Sequence, residues 1–175
     1  THYDGDSSTG RYLLKDHAVA KAKASSTSYD ASSFDFVSIV INHDWMSAVG
    51  YGQIGGKYSW IDNGPDWRVG TYIHELGHNL GLWHANAWDS ATSVSDDTNG
   101  THYEYEHDFD IMGYSGTHSY DKMHFNASFK NALDWLPNSS ITTVTADTNV
   151  DLYAMDKRHK FQVVCMQSKS QPGFR

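Results

Sequence analysis

Eleven residues, His74-Glu75-Leu76-Gly77-His78-Asn79-Leu80-Gly81-Leu82-Trp83-His84, constrain this chain more than any other stretch. They fall in a segment, 67–80, that reads as a helix with Val69, Ile73, Leu76 and Leu80 on its core face. His74 and His78 are four apart, so on a helix they project from one face, one turn above the other. From there two ring nitrogens can reach one ion at about 2.0–2.1 Å each. Glu75 stands at the edge of that face, placed to hydrogen-bond a water rather than to ligate. His84 cannot continue the same straight helix, because ten residues at ~1.5 Å rise would leave it about 15 Å from His74. The chain must turn back, and Gly81 is where it can, since glycine adopts the left-handed conformation of a helix C-terminus without steric cost. A lone histidine pair in a chain with 11 histidines is as often a solvated face as a ligand pair. The whole pattern, with five fixed positions, arises by chance on the order of once in ten thousand such chains, so the metal reading prevails.

The same stretch matches the HExxHxxGxxH signature, and Asp110-Ile111-Met112-Gly113-Tyr114 adds a methionine-containing turn further on. Together they resemble the metzincin clan of zinc endopeptidases. Within the clan, the run from His78 to Ala85, Phe109-Asp110-Ile111-Met112-Gly113, His124-Phe125-Asn126-Ala127 and the Gly50–Trp60 segment are similar to the gametolysin family. Ala85 follows the third histidine where astacins carry Glu and adamalysins Asp, so those two families are disfavoured. The resemblance covers roughly residues 34–136. It implies an α+β, metzincin-like fold: a twisted mixed sheet with a backing helix and an active-site helix, then a lower part holding the Met turn, a C-terminal helix and terminal strands.

The resemblance also implies roles for the site. His74, His78 and His84 would hold one catalytic Zn2+, which lowers the pKa of water towards ~7. Glu75 would act as general base, taking the proton as water attacks the scissile carbonyl and delivering it to the leaving amine. Met112 would form a hydrophobic floor under the imidazoles, and Tyr114 would reach the zinc or the transition state. An edge strand in 51–58, with Tyr51, Gly52, Gln53 and Ile54, would pair with an extended peptide by main-chain bonds. Ser115–Phe125 would wall the pocket for the side chain after the scissile bond.

Composition narrows the remaining choices. The 13 basic and 21 acidic residues give a net charge of −8, with no basic stripe for a phosphate backbone, so nucleic acid is not an expected partner. No apolar run is long enough for a membrane helix, and the single Cys165 excludes an internal disulfide. Both termini read as cut, which suggests a piece of a longer secreted precursor with a prosegment or accessory domains elsewhere. One domain over 1–175 is expected, divided near residue 81 into an upper and a lower part, and acting as a monomer. Arg11–Ala24 reads as an amphipathic helix, 25–33 as a Ser-rich loop, and 34–41 as a buried strand. Residues 86–110 read as irregular, 126–136 as a short helix ended by Pro137, and 141–167 as two or three strands. Asp4-Gly5-Asp6 and Asp96-Asp97-Thr98-Asn99 offer oxygen ligands for Ca2+ without the closing Glu of an EF-hand. His102, His107, His118 and His124 are expected at solvated surface, and Asn99, Asn126 and Asn138 begin N-x-Ser/Thr sequons. Three functions fit: an extracellular zinc endopeptidase, a catalytically silent zinc-containing binding or adhesion module, and a zinc hydrolase acting on a non-peptide bond. The retained Glu75 favours hydrolysis, because a structural zinc site needs no base and closes its fourth position with a protein ligand.

Overall fold

The computed structural model describes residues 3–41, 45–62, 69–90, 99–113, 123–146, 148–152 and the backbone of 163–166. The chain divides into two compact units. One comprises Thr1–Ala85 with Tyr105–Met123, the other Asn86–Glu104 with His124–Arg175. His84, Ala85 and 105–113 fall in the first unit. Backbone bonds hold them there, Ala85 N–H donating to Met112 O at 2.8 Å and His107 N–H to Ala85 O at 3.3 Å.

The first unit opens with helix α1, Ser8–Ser25. It starts three residues before the hydrophobic pattern does because Ser7 caps it, its side chain accepting from Gly10 N–H at 3.0 Å. Gly10 is required at that turn, since a Cβ there would lie 1.9 Å from the Asp4 carbonyl oxygen. The Ser-rich stretch after α1 forms two short 3-10 turns, Thr27–Tyr29 and Ala31–Ser33, capped by the side chains of Ser26 and Asp30.

Three strands follow: β1 Val37–Ile41, β2 Gly50–Gly52 and β3 Tyr58–Asp62. They form a mixed sheet in the order β1-β3-β2, with β1 parallel and β2 antiparallel to β3. The central strand carries the core. Trp60 and Ile61 are 1% and 2% exposed, and truncating a ring so placed costs about 3–5 kcal/mol. On the α1 face, the Trp60 indole N–H donates to Arg11 O at 3.0 Å and its ring meets Tyr12 and Tyr51 edge-on. Arg11 itself is buried, its guanidinium 3.9 Å over the Tyr51 ring and donating to Gly5 O. The other face receives helix α2, Val69–Asn79. Asn79 locks this helix to the β2–β3 turn by donating to Gln53 O and Tyr58 O. Strand β1 departs from the expected buried strand. It pairs with β3 alone among the described strands, so only Ile39 is buried while Phe36 and Val40 are exposed.

The second unit contains an antiparallel pair, β4 Ala87–Ser90 with β5 Gly100–Tyr103, where an irregular stretch was expected. Helix α3, Ala127–Ala132, is capped by Asn126. It stops well before Pro137, because Asp134 adopts φ 58° and Trp135 N–H returns to Lys130 O at 2.8 Å. Strand β6, Ile141–Val144, pairs in parallel with β7, Val163–Met166. The mixed sheet and its two helices are compatible with the expected α+β, metzincin-like fold.

Candidate metal centre

Helix α2 presents His74 and His78 one turn apart, and its C-terminus is built to return the chain. Gly81 takes φ 97°, its N–H donates to His78 O at 2.8 Å, and Leu82 N–H reaches Gly77 O at 2.9 Å. This pair of bonds is the Schellman arrangement, which uses the left-handed residue as its pivot. The turn expected at Gly81 is therefore present, and it brings His84 back beside the helix. One ring nitrogen from each of His74, His78 and His84 lies within 4.8 Å of the other two. Ring centroids stand 4.9 Å apart for His74–His78 and His78–His84, and 5.5 Å for His74–His84.

The chemistry of this triad fits zinc. His74 Nδ1 is 2.8 Å from Ile111 O, and His78 Nδ1 is 2.8 Å from Leu82 O. A carbonyl only accepts, so each Nδ1 must carry the proton, and the Nε2 of each neutral ring keeps a lone pair for a metal. Burial, the largest influence, lowers the His74 pKa to about 4 and also lowers that of His78, which holds both rings neutral, as ligands must be. The backbone bonds to Ile111 and Leu82 oppose that shift without reversing it.

Glu75 is 5% exposed, and its carboxylate has no hydrogen-bond partner among the described residues. It rests against β2, where a Cβ on Gly50 would come 2.4 Å from Oε1 and one on Gly52 3.0 Å from Oε2. Burial pushes its carboxyl up to about 8. Met112 is fully buried in a four-residue turn, with its N–H on Asp110 Oδ1 at 2.7 Å and Gly113 N–H on Asp110 O at 2.9 Å. The same turn supplies the Ile111 carbonyl that orients His74. Tyr114 and most of the expected pocket wall, 114–122, lie outside the described residues, as does Asp96-Asp97-Thr98. At the other stretch weighed for calcium, Asp6 Oδ1 accepts from Ser47 and Asp4 Oδ1 from Asp6 N–H. Among the described residues, the histidine triad alone forms a group suited to a metal.

The structure adds Tyr105, which the sequence pattern did not single out. Its ring lies against His84 with centroids 3.8 Å apart and stacks on His74 at 6.2 Å.

These shifts set a pH dependence for the metal-free protein. Between 4.5, the ordinary Glu value, and about 8, the folded chain keeps a proton on Glu75 that the unfolded chain has released. That contribution is complete below 4.5 and is lost as pH rises through 8. His74 and His78 work in the opposite sense, their contribution being complete above 6.5 and lost as pH falls, for His74 through about 4. Among the described residues, the shift that acts between 6.5 and 8 is that of Glu75. Urea denaturation of the chelated protein should show about 1–2 kcal/mol less stability at about pH 8 than at about pH 6.5. Glu75→Gln, neutral throughout, should flatten the difference; an unchanged slope would show that Glu75 is not its source.

Comparison with protein-family models returns the Astacin peptidase family over residues 17–164. No curated protein and no solved structure matches the chain. The inference from Ala85 that astacins are disfavoured is overturned by this match, and the narrower likeness to gametolysins is not confirmed by it. Ala85 is 3% exposed and joins Met112 to His107 through its backbone, so the departure leaves a small buried residue beside the third ligand. With the match spanning most of its length and a three-histidine group suited to zinc assembled at the end of α2, the chain belongs to the astacin family of zinc metallopeptidases.

Proposed function

We propose that this protein is a secreted zinc endopeptidase that hydrolyses peptide bonds of extracellular proteins with Glu75 as general base. The observation that carries the reading is a buried carboxylate on the same helix turn as two of three converging histidines. Zinc bound by three neutral imidazoles supplies a Lewis acid that acidifies water and polarises a carbonyl. Glu75 receives the proton of the attacking water and returns it to the leaving amine. A carboxyl raised by burial towards neutral pH is suited to both transfers. Met112 floors the imidazoles, and Tyr114 serves as the partner of the developing oxyanion.

Strand β2 is the surface for the substrate backbone. Asp62 N–H donates to Val49 O and Gln53 N–H to Tyr58 O, flanking the Tyr51↔Trp60 pair. Antiparallel pairing alternates, so 49, 51 and 53 turn their backbone groups towards β3, while Gly50 and Gly52 turn theirs to the open edge. Of the four residues expected to bind substrate, Gly52 therefore offers main-chain bonds. Tyr51 and Gln53 hold the strand in place, and Ile54 stands exposed at the turn.

Incubation with casein or gelatin tests the reading. Peptide release should be abolished by a zinc chelator and restored by added zinc. Zinc-dependent binding without cleavage would support the adhesion module instead, and cleavage confined to non-peptide esters or amides would support the third function.

A further inference from the structure

Tyr105 has a backbone that side chains rarely adopt. Its φ is 66°, in the left-handed region, where a bulky non-glycine residue is a genuine outlier. Such strain persists only where the surroundings over-determine it, and it clusters at functional sites. Here the left-handed backbone accompanies a ring set against two metal ligands, 3.8 Å from the His84 centroid with planes inclined 35°, and 6.2 Å from His74 at 23°. The residue is anchored on its other side as well, because a Cβ on Gly113 would meet the Tyr105 carbonyl oxygen at 2.9 Å. Gly113 is thus the residue that lets the methionine turn and Tyr105 approach each other.

We propose that Tyr105 is a positioning residue of the metal centre, fixing the imidazole plane of His84 by ring stacking. His74 and His78 ride on one helix, with Nδ1 bonds to Ile111 and Leu82 that set their rotation. His84 stands beyond the helix, and a ring lying across its face restricts rotation about the bond to its imidazole. The contact described is with the aromatic face, so the effect is assigned to the ring. The proposal rests on the zinc reading above.

Zinc affinity measured by competition with a chromophoric chelator, with the absorption spectrum of the cobalt-substituted protein, tests it. Tyr105→Asn removes the ring and suits the left-handed backbone, so the variant keeps its fold, checked by the melting of the metal-free form. Its zinc Kd should rise by about 10–100-fold, the usual cost of losing an outer-shell partner, and its cobalt bands should shift. Tyr105→Phe should hold the Kd within threefold of the parent and keep the spectrum. An Asn variant that binds zinc like the parent overturns the role of Tyr105 while leaving the zinc site standing. A Phe variant as impaired as the Asn variant overturns the stacking account in favour of the hydroxyl. A parent that binds no zinc overturns both the proposal and the reading beneath it.

Discussion

Replacing Glu75 by Gln should leave zinc in place and lower kcat on a peptide substrate by a factor of ~100 or more. Gln occupies the same volume, so it fits the space that Gly50 and Gly52 leave for the Glu75 side chain against β2. His74 and His78 do not depend on Glu75 for their orientation, since the carbonyls of Ile111 and Leu82 hold them. What disappears is the group that accepts a proton. Because proton transfer belongs to the transition state, the loss should fall on kcat with little change in KM. Metal analysis and steady-state kinetics of one variant check both halves. Full zinc content with full activity would remove Glu75 as the base; loss of zinc would show that the carboxylate supports the ligands instead.

The convergence of the three histidines was legible in the sequence because local rules determine it. Helical period places His74 over His78, and only a residue free to take positive φ can turn the chain after Leu80, so Gly81 could be named before the return of His84 was seen. Elements whose formation depends on distant partners were not legible. The β4–β5 pair shows no alternation because its residues are half-buried or exposed, so nothing in the pattern distinguishes it from a loop. Helix α1 begins at Ser8 because Ser7 caps it and Gly10 fits against Asp4, a contact that apolar spacing does not record. Pro137 was the visible stop for α3, yet the chain ends the helix earlier by putting Asp134 in the left-handed region. Tyr105 was hidden for the same reason: nothing in the identity of a tyrosine announces a positive φ, and its partners His74 and His84 lie far along the chain. The inference from Ala85 failed differently, by giving one side chain beside the third ligand more weight than a family pattern spread over residues 17–164.

Zinc should add strongly to thermal stability, and the size of the effect follows from linkage. A ligand that binds only the native state stabilises by RT ln(1 + [L]/Kd), which is about 4.1 kcal/mol at a thousandfold excess over Kd. For a domain of about 150–250 residues, each kcal/mol moves Tm by about 2–4 °C, and this chain has 175 residues. The zinc-loaded protein should therefore melt about 8–16 °C above the chelated one. The native state alone can bind tightly, because the triad exists only when Gly81 has turned the chain and the carbonyls of Ile111 and Leu82 have set the tautomers. His78→Ala separates the two contributions of that residue. It should abolish the zinc increment, and it should also lower the melting point of the metal-free form, since the Nδ1 bond to Leu82 O, worth about 1 kcal/mol, is lost with the ring. Differential scanning calorimetry of parent and variant, each with zinc and with chelator, measures all four states. Equal melting temperatures for the loaded and chelated parent would mean that the triad does not hold zinc tightly, and the catalytic proposal would fall with it.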